Sequence, residues 1–318
     1  MSAVLIKGVD SFGSKREDLA IKNGRFVDPR EVEGLRGTKV IDALGLVGLP
    51  GFVDMHTHLR EPGDEQAETI LSGSQAAALG GFTSVHAMAN TAPVADTAEA
   101  VTSVWEAGKS AGYVDVRPVG AVSRGLLGKT LSGMRSMAKS PAEVTVFSDD
   151  GNCVFDSRLM LQALQNADAL GAVVAQHAED PNLTIDSQMN EGHLAATLGL
   201  TGWPRVAEES MIARDVLLAE AVGARIHICH VSTAGSVEII SWAKKRGISV
   251  TAEVTPHHLL LTENLVETFN PLYKVNPPLR NKEDTVALRE GVADGTIDII
   301  ATDHAPHSPE RKEVSFPE

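Results

Sequence analysis

The chain has 318 residues, 43% of them hydrophobic and 22% charged, enough for one barrel-sized core and a small accessory piece. Its formal net charge of −14 argues against a nucleic-acid backbone or an anionic membrane surface as partner. Two cysteines, Cys153 and Cys229, are too few for a disulfide framework; with no signal peptide and no apolar run of bilayer length, the expectation is a cytoplasmic, soluble protein.

Residues 1–49 read as short strands and turns: Val4-Leu-Ile6, Leu19-Ala-Ile21 before the turn Asn23-Gly24, then Val40-Ile41 and Leu46-Val47. From Gly51 the texture changes to apolar run, turn and helical pattern, repeated, as in βα units around a parallel sheet. Predicted strands are 52–56, 83–88, 114–119, 144–148, 173–177, 226–230, 249–254 and 298–302. Predicted helices are 68–79, 97–111, 157–169, 205–221, 235–245 and 282–293, with a long connection over 179–204 that holds a short helix near 193–198. Eight such strands predict an α/β fold, a (β/α)8 TIM-like barrel over 50–318, with a β portion over 1–49. The loop-like composition of Ser315-Phe-Pro-Glu318, with no helix after the last strand, predicts a barrel whose closing segment is missing.

Chemistry gathers at the strand ends. The apolar run from Gly48 to Met55 leads into His56-Thr-His58, and alternate residues of a strand share a face, so both imidazoles, with Arg60 following, project together. Later strands end in Asp149-Asp150, His177, His230 and Asp303-His304. Taken alone, His177 reads as a satisfied core histidine; Asp149 and Asp150 face opposite sides if extended, so only one can point inward and the other serves as a helix or turn cap. His227 has parity opposite to His230 and is expected to face the surrounding helices. Together, four imidazoles and at least two carboxylates meeting at one barrel mouth suit one or two Zn²⁺ ions, which take mixed nitrogen and oxygen ligands. A carboxylate shared by two ions holds them ~3.5–4 Å apart, a spacing used in hydrolysis.

The chain resembles the cyclic amidohydrolases, most closely the class I dihydroorotases, in its Pro50-Gly-Phe-Val-Asp-Met-His-Thr-His-Leu-Arg-Glu-Pro-Gly63, Gly80-Gly-Phe-Thr83, Met88-Ala-Asn-Thr91 and Phe147-Ser-Asp-Asp-Gly151. The likeness continues through His177-Ala-Glu179, His230-Val-Ser-Thr233, Thr255-Pro-His-His258, Lys274-Val-Asn-Pro-Pro-Leu-Arg280 and Ala301-Thr-Asp-His-Ala-Pro-His307. It implies that residues 1–49 belong to a β-sandwich that a C-terminal return segment completes. Zinc ligands are then His56, His58, His177, His230 and Asp303, with Asp150 in the bridging place that hydantoinases and dihydropyrimidinases fill with a carboxylated lysine. Arg60 and Asn90 are implied to bind a substrate carboxylate, with Asn276 and His307 completing its contacts. The activity implied is reversible hydrolysis of L-dihydroorotate to N-carbamoyl-L-aspartate in pyrimidine biosynthesis, with Asp303 moving the proton. Two ions, two carboxylates and a hydroxide leave the site net positive, which draws an anionic small substrate despite the acidic exterior. The alternatives are a hydantoinase or allantoinase, or a non-catalytic subunit that scaffolds aspartate transcarbamoylase. Self-dimerisation or association with that enzyme also follows from the resemblance.

Overall fold

The computed structural model describes residues 2–317 and divides into two units, Met1–Phe52 and Val53–Glu318. The first is a five-stranded mixed sheet of β1 (Ala3–Ser11), β2 (Lys15–Lys22), β3 (Arg25–Val27), β4 (Lys39–Asp42) and β5 (Val47–Gly48), in the order β3-β2-β1-β4 with β5 also on β1. The β2–β3 hairpin turns at Asn23-Gly24, both with positive φ (51° and 76°), the backbone that this pair adopts most readily. Ala3, Leu5, Ala20 and Val32 form its small core.

The second unit is a ring of parallel strands. β6 (Phe52–Thr57), β7 (Phe82–Ala87) and β8 (Asp115–Pro118) form one arc. β9 (Val146–Phe147) and β10 (Val173–Gln176) begin the other. After a small ribbon of β11 (Met189–Asn190) and β12 (Gly202–Trp203), it continues through β13 (Ile226–Ile228), β14 (Val250–Val254) and β15 (Ile299–Ile300). Parallel bridges Gly120↔Phe147 and Thr57↔His304 join the arcs at both gaps, so the eight strands close as a (β/α)8 barrel.

Helices α1 (Ile70–Leu79), α2 (Ala98–Ala111), α3 (Met134–Ala138), α4 (Ser157–Ala169), α5 (His193–Leu198), α6 (Val206–Val222), α7 (Ala234–Lys245), α8 (Pro256–Leu260) and α9 (Lys282–Asp294) follow in chain order. Side-chain caps start most of the long ones: Thr69, Thr97, Asp156, Thr233 and Asn281 each accept from a backbone N–H of the first turn. Alternate strand residues split into two cores. Phe147, Val174, Ile226, Ile228 and Val250 face the helices, while Val146, Val173, Ala175 and Cys229 join Met55, Met88 and Val119 inside the ring.

That split overturns one expectation. β13 stops at Ile228 rather than running on to residue 230, and the interior parity belongs to His227 and Cys229. His227 therefore points inward, its Nε2 3.1 Å from Glu253 Oε2, instead of outward to the helices. His230, of the opposite parity, turns inward because its own backbone adopts φ 32°, a left-handed conformation uncommon for a side chain of this size.

Candidate metal centre and substrate cavity

The strands end early, and apart from His56 the chemistry lies one to three residues beyond them. His56 ends within β6 and His58 lies just past it; Asp150 follows β9, His177 β10, His230 β13 and Asp303 β15. Arg60 (φ 62°), His230 (φ 32°) and Asp303 (φ 49°) all stand on left-handed backbone, strain that accumulates where a site dictates direction.

Asp150 is the hub. Its Oδ2 lies 3.3 Å from the Nε2 of both His56 and His58. Its Oδ1 lies 3.1 Å from His177 Nδ1 and 3.1 Å from His230 Nε2. Asp303 Oδ1 completes the first group, 3.5 Å from His56 Nε2 and 3.3 Å from His58 Nε2. In the second, His177 Nδ1 and His230 Nε2 are 2.9 Å apart. All six residues singled out as ligands in the sequence thus converge, and one aspartate faces both halves.

The donor atoms have the spacing of a coordination shell. Zinc bonds of ~2.0–2.1 Å in a tetrahedron put neighbouring donors ~3.3 Å apart, and the first group's separations run from 3.3 to 3.5 Å. His56 Nε2 is buried without a hydrogen-bond partner, an orphan that a cation would satisfy. Among the described residues, His56–Asp150–His230 and His56–His58–Asp303 each bring three donors close enough to share an ion.

The outer nitrogens are held as well. His56 Nδ1 sits 2.6 Å from Glu253 Oε1, His58 Nδ1 2.8 Å from Asn90 Oδ1, and His177 Nε2 2.9 Å from Glu179 Oε2. With a proton held on each outer nitrogen, the inner nitrogen is the one left to face the centre and ligate an ion. Burial works against charge throughout, yet the groups offset it. His56, His177 and His230 hold Asp150 well below the usual carboxylate range despite its burial. Burial likewise opposes the ionised Asp303, and His58 and His56 draw it down. Burial lowers His177, but Asp150 and Glu179 raise it to about 10. Asp149, the other acid of the pair, is spent on structure: Oδ1 accepts from the N–H groups of Val122 and Ser123 at 2.8 and 2.9 Å.

A cavity of about 560 Å³ opens on this centre, lined by His58, Asp150 and Asp303 together with Arg60, Asn90, Asn276 and His307. Arg60 Nε donates to the Pro306 carbonyl at 2.9 Å, which fixes the guanidinium plane and leaves its terminal nitrogens for a ligand. Asn90 gives its carbonyl to His58, so the amide NH₂ is what it can offer the cavity. Asn276 Nδ2 lies 3.4 Å from Glu179 Oε2 and so connects to the acid behind His177.

Sequence reasoning gave no role to Glu253, Glu179, His257 or Lys274. Glu253 carried a signal: a carboxylate inside the apolar run of β14 must be paired if it is buried, and it is 1% exposed. Lys274 and His257 line the cavity within the motifs that carry the family likeness, with no spacing signal of their own.

An eight-stranded barrel with two donor groups joined by one aspartate at its strand ends has the architecture of an amidohydrolase. The family described as Dihydro-orotase-like matches residues 45–236. A dihydroorotase of Streptomyces coelicolor is 60% identical over 317 residues, 99% of this chain and 74% of that protein. One of Mycobacterium tuberculosis is 54% identical, with 99% and 74% covered. In fold, the L-hydantoinase (dihydropyrimidinase) of Arthrobacter aurescens superposes with a TM-score of 0.84 at 26% identity, covering 98% of this chain and 71% of that one. The dihydropyrimidinase of Brevibacillus agri, at 24% identity and a TM-score of 0.81, shares the fold over 99% of this chain and 72% of that one. The chain belongs to the dihydroorotase-like family, whose members hydrolyse cyclic amides.

Proposed function

We propose that the chain is a zinc-dependent dihydroorotase, interconverting L-dihydroorotate and N-carbamoyl-L-aspartate in pyrimidine biosynthesis. The observation that carries this reading is one cavity whose wall includes Asp150, members of both halves of the donor set (His58 and Asp303 of one, His177 of the other) and the Arg60–Asn90 pair. His56, His58 and Asp303 would hold one ion and His177 and His230 the other, with Asp150 shared between them. Bound there, zinc lowers the pKa of water toward ~7 and polarises a carbonyl.

The chain's own residues do the rest. Arg60 offers a planar fork to the substrate carboxylate, the geometry a point charge such as lysine lacks. Asn90 adds its NH₂, and Asn276 and His307 bound the other contacts. The ring is thereby fixed with its reacting carbonyl at the centre. Asp303 accepts the proton of the attacking water and returns it to the ring nitrogen as the C–N bond breaks; ring closure runs the same proton backwards. Its carboxylate, 12% exposed at the cavity wall and held ionised by His58 and His56, is suited to accept first.

The test is zinc content and dihydroorotate turnover for the chain and for Asp303→Ala, with hydantoin and dihydrouracil as competing substrates. A loss of about 10²–10⁴-fold in kcat is expected for the variant, the usual worth of a positioned proton carrier. Turnover at the unmodified rate would remove Asp303 from the mechanism, and preference for hydantoin would replace the substrate assignment.

A further inference from the structure

Thr255-Pro-His-His258 follows β14 directly and forms the first turn of α8, with Thr255 as its cap. Its two histidines are treated in opposite ways. His258 is buried and satisfied: Nδ1 shares a hydrogen bond with Thr255 Oγ1 at 2.7 Å, and Nε2 donates to the Pro277 carbonyl at 3.0 Å. That accounts for it as a core residue, a clamp between α8 and the loop that carries Asn276.

His257 stacks on it, ring centroids 4.5 Å apart at 45°, so a ring with no freedom of its own sets the plane of the next. His257 Nε2 is buried and has no hydrogen-bond partner. The side chain lines the same cavity as His58, Asp150, His177 and Asp303. Asp150 and Asp303 of the donor set lie in the wall of that cavity along with it, which puts His257 on the side where the chemistry occurs. A buried ring nitrogen that stays unpaired is uncommon unless something meets it. Here the opening that would admit a partner is the substrate cavity.

We infer that His257 is a further catalytic residue, whose Nε2–H donates a hydrogen bond to the oxygen of the attacked ring carbonyl. The inference rests on the cyclic-amide reading above. The donor matters most where charge builds on that oxygen in the tetrahedral intermediate, so its effect falls on kcat rather than on binding.

The experiment uses the zinc-loaded chain and His257→Ala and His257→Gln, assayed in both directions with dihydroorotate and carbamoyl aspartate. Removing one such donor is expected to lower kcat about 10²–10³-fold with little change in KM. Zinc content and melting temperature should match the parent protein. Glutamine, whose amide nitrogen reaches close to the Nε2 position, should recover part of the loss. The ¹⁵N resonance of His257 Nε2 should also move when carbamoyl aspartate is added. An alanine variant with the parent kcat overturns the inference. So does a loss that tracks lost zinc or a lowered melting temperature, which would make His257 structural. Failure of the parent chain on dihydroorotate, with turnover of hydantoin or dihydrouracil, refutes the substrate assignment alone; the same variants are then compared on that amide.

Discussion

Replacing Glu253 by glutamine should weaken zinc binding while leaving the shape of the site intact. The carboxylate is 1% exposed and serves three donors: His56 Nδ1 at 2.6 Å, His227 Nε2 at 3.1 Å and the His230 N–H at 3.3 Å. Two of those partners are candidate ligands, one in each half of the centre. Glutamine is nearly isosteric, but it removes the charge and turns one acceptor into a donor. The short contact to His56 is the charge-assisted kind, about twice as strong as a neutral one, and it raises the basicity of the ring nitrogen that faces the ion. Loss of such a carboxylate behind a ligating histidine lowers metal affinity by ~10–100-fold, or about 1.4–2.7 kcal/mol. Near-complete burial argues for the upper end, because water cannot replace the lost partner. Competition against a chromophoric chelator measures the zinc affinity of both proteins, and turnover at saturating zinc separates affinity from chemistry. Equal affinities would refute the idea that Glu253 tunes His56.

Two further expectations concern stability. Burial raises the Asp215 carboxyl to about 6, with Arg214 Nε at 2.6 Å only partly compensating. The folded chain then holds that proton more tightly than the unfolded one, so this group's contribution is full below pH ~4 and declines as pH rises to about 6, by roughly 3 kcal/mol. Asp215→Asn should remove that decline, and urea unfolding at pH 4, 6 and 8 will show whether the gap between the two proteins widens upward. Gly108 of α2 packs so closely on β8 that an added Cβ would lie 2.4 Å from Val116 Cβ. Gly108→Ala should therefore cost ~1–3 kcal/mol by overpacking, despite alanine's better helix propensity, and a melting temperature at or above that of the parent would contradict it.

The fold was legible because periodicity survives in sequence. The helix predicted over 157–169 is α4 to the residue, and the other long helices agree within one or two positions. Strand ends were less legible, and the reason is physical. Apolar character continues past the last ladder hydrogen bond, so β9, β13 and β15 are shorter than their apolar runs. Side-chain parity fails where the backbone turns left-handed: φ 32° at His230 brings its ring inward like that of His227, although the two have opposite parity. The convergence of His56, His58, Asp150, His177, His230 and Asp303 could be anticipated, since each closes a strand at one end of the barrel. Glu253, Glu179 and His257 act through neighbours fixed only in three dimensions, and no spacing along the chain announces them.

The two gaps in the strand ring are spanned by single bridges, and one of these, Thr57↔His304, lies between His56-Thr-His58 and Asp303-His304. The His58 N–H donates to the His304 carbonyl at 2.7 Å across the same gap, and Asp54 ties down Thr302 just before it. An ion gripped by His56, His58 and Asp303 would thus act as a buckle on a hoop, joining the first stave to the last where the backbone ladder is thinnest. Hydrogen exchange along that joint should quicken when zinc is withdrawn, well before the distant staves loosen.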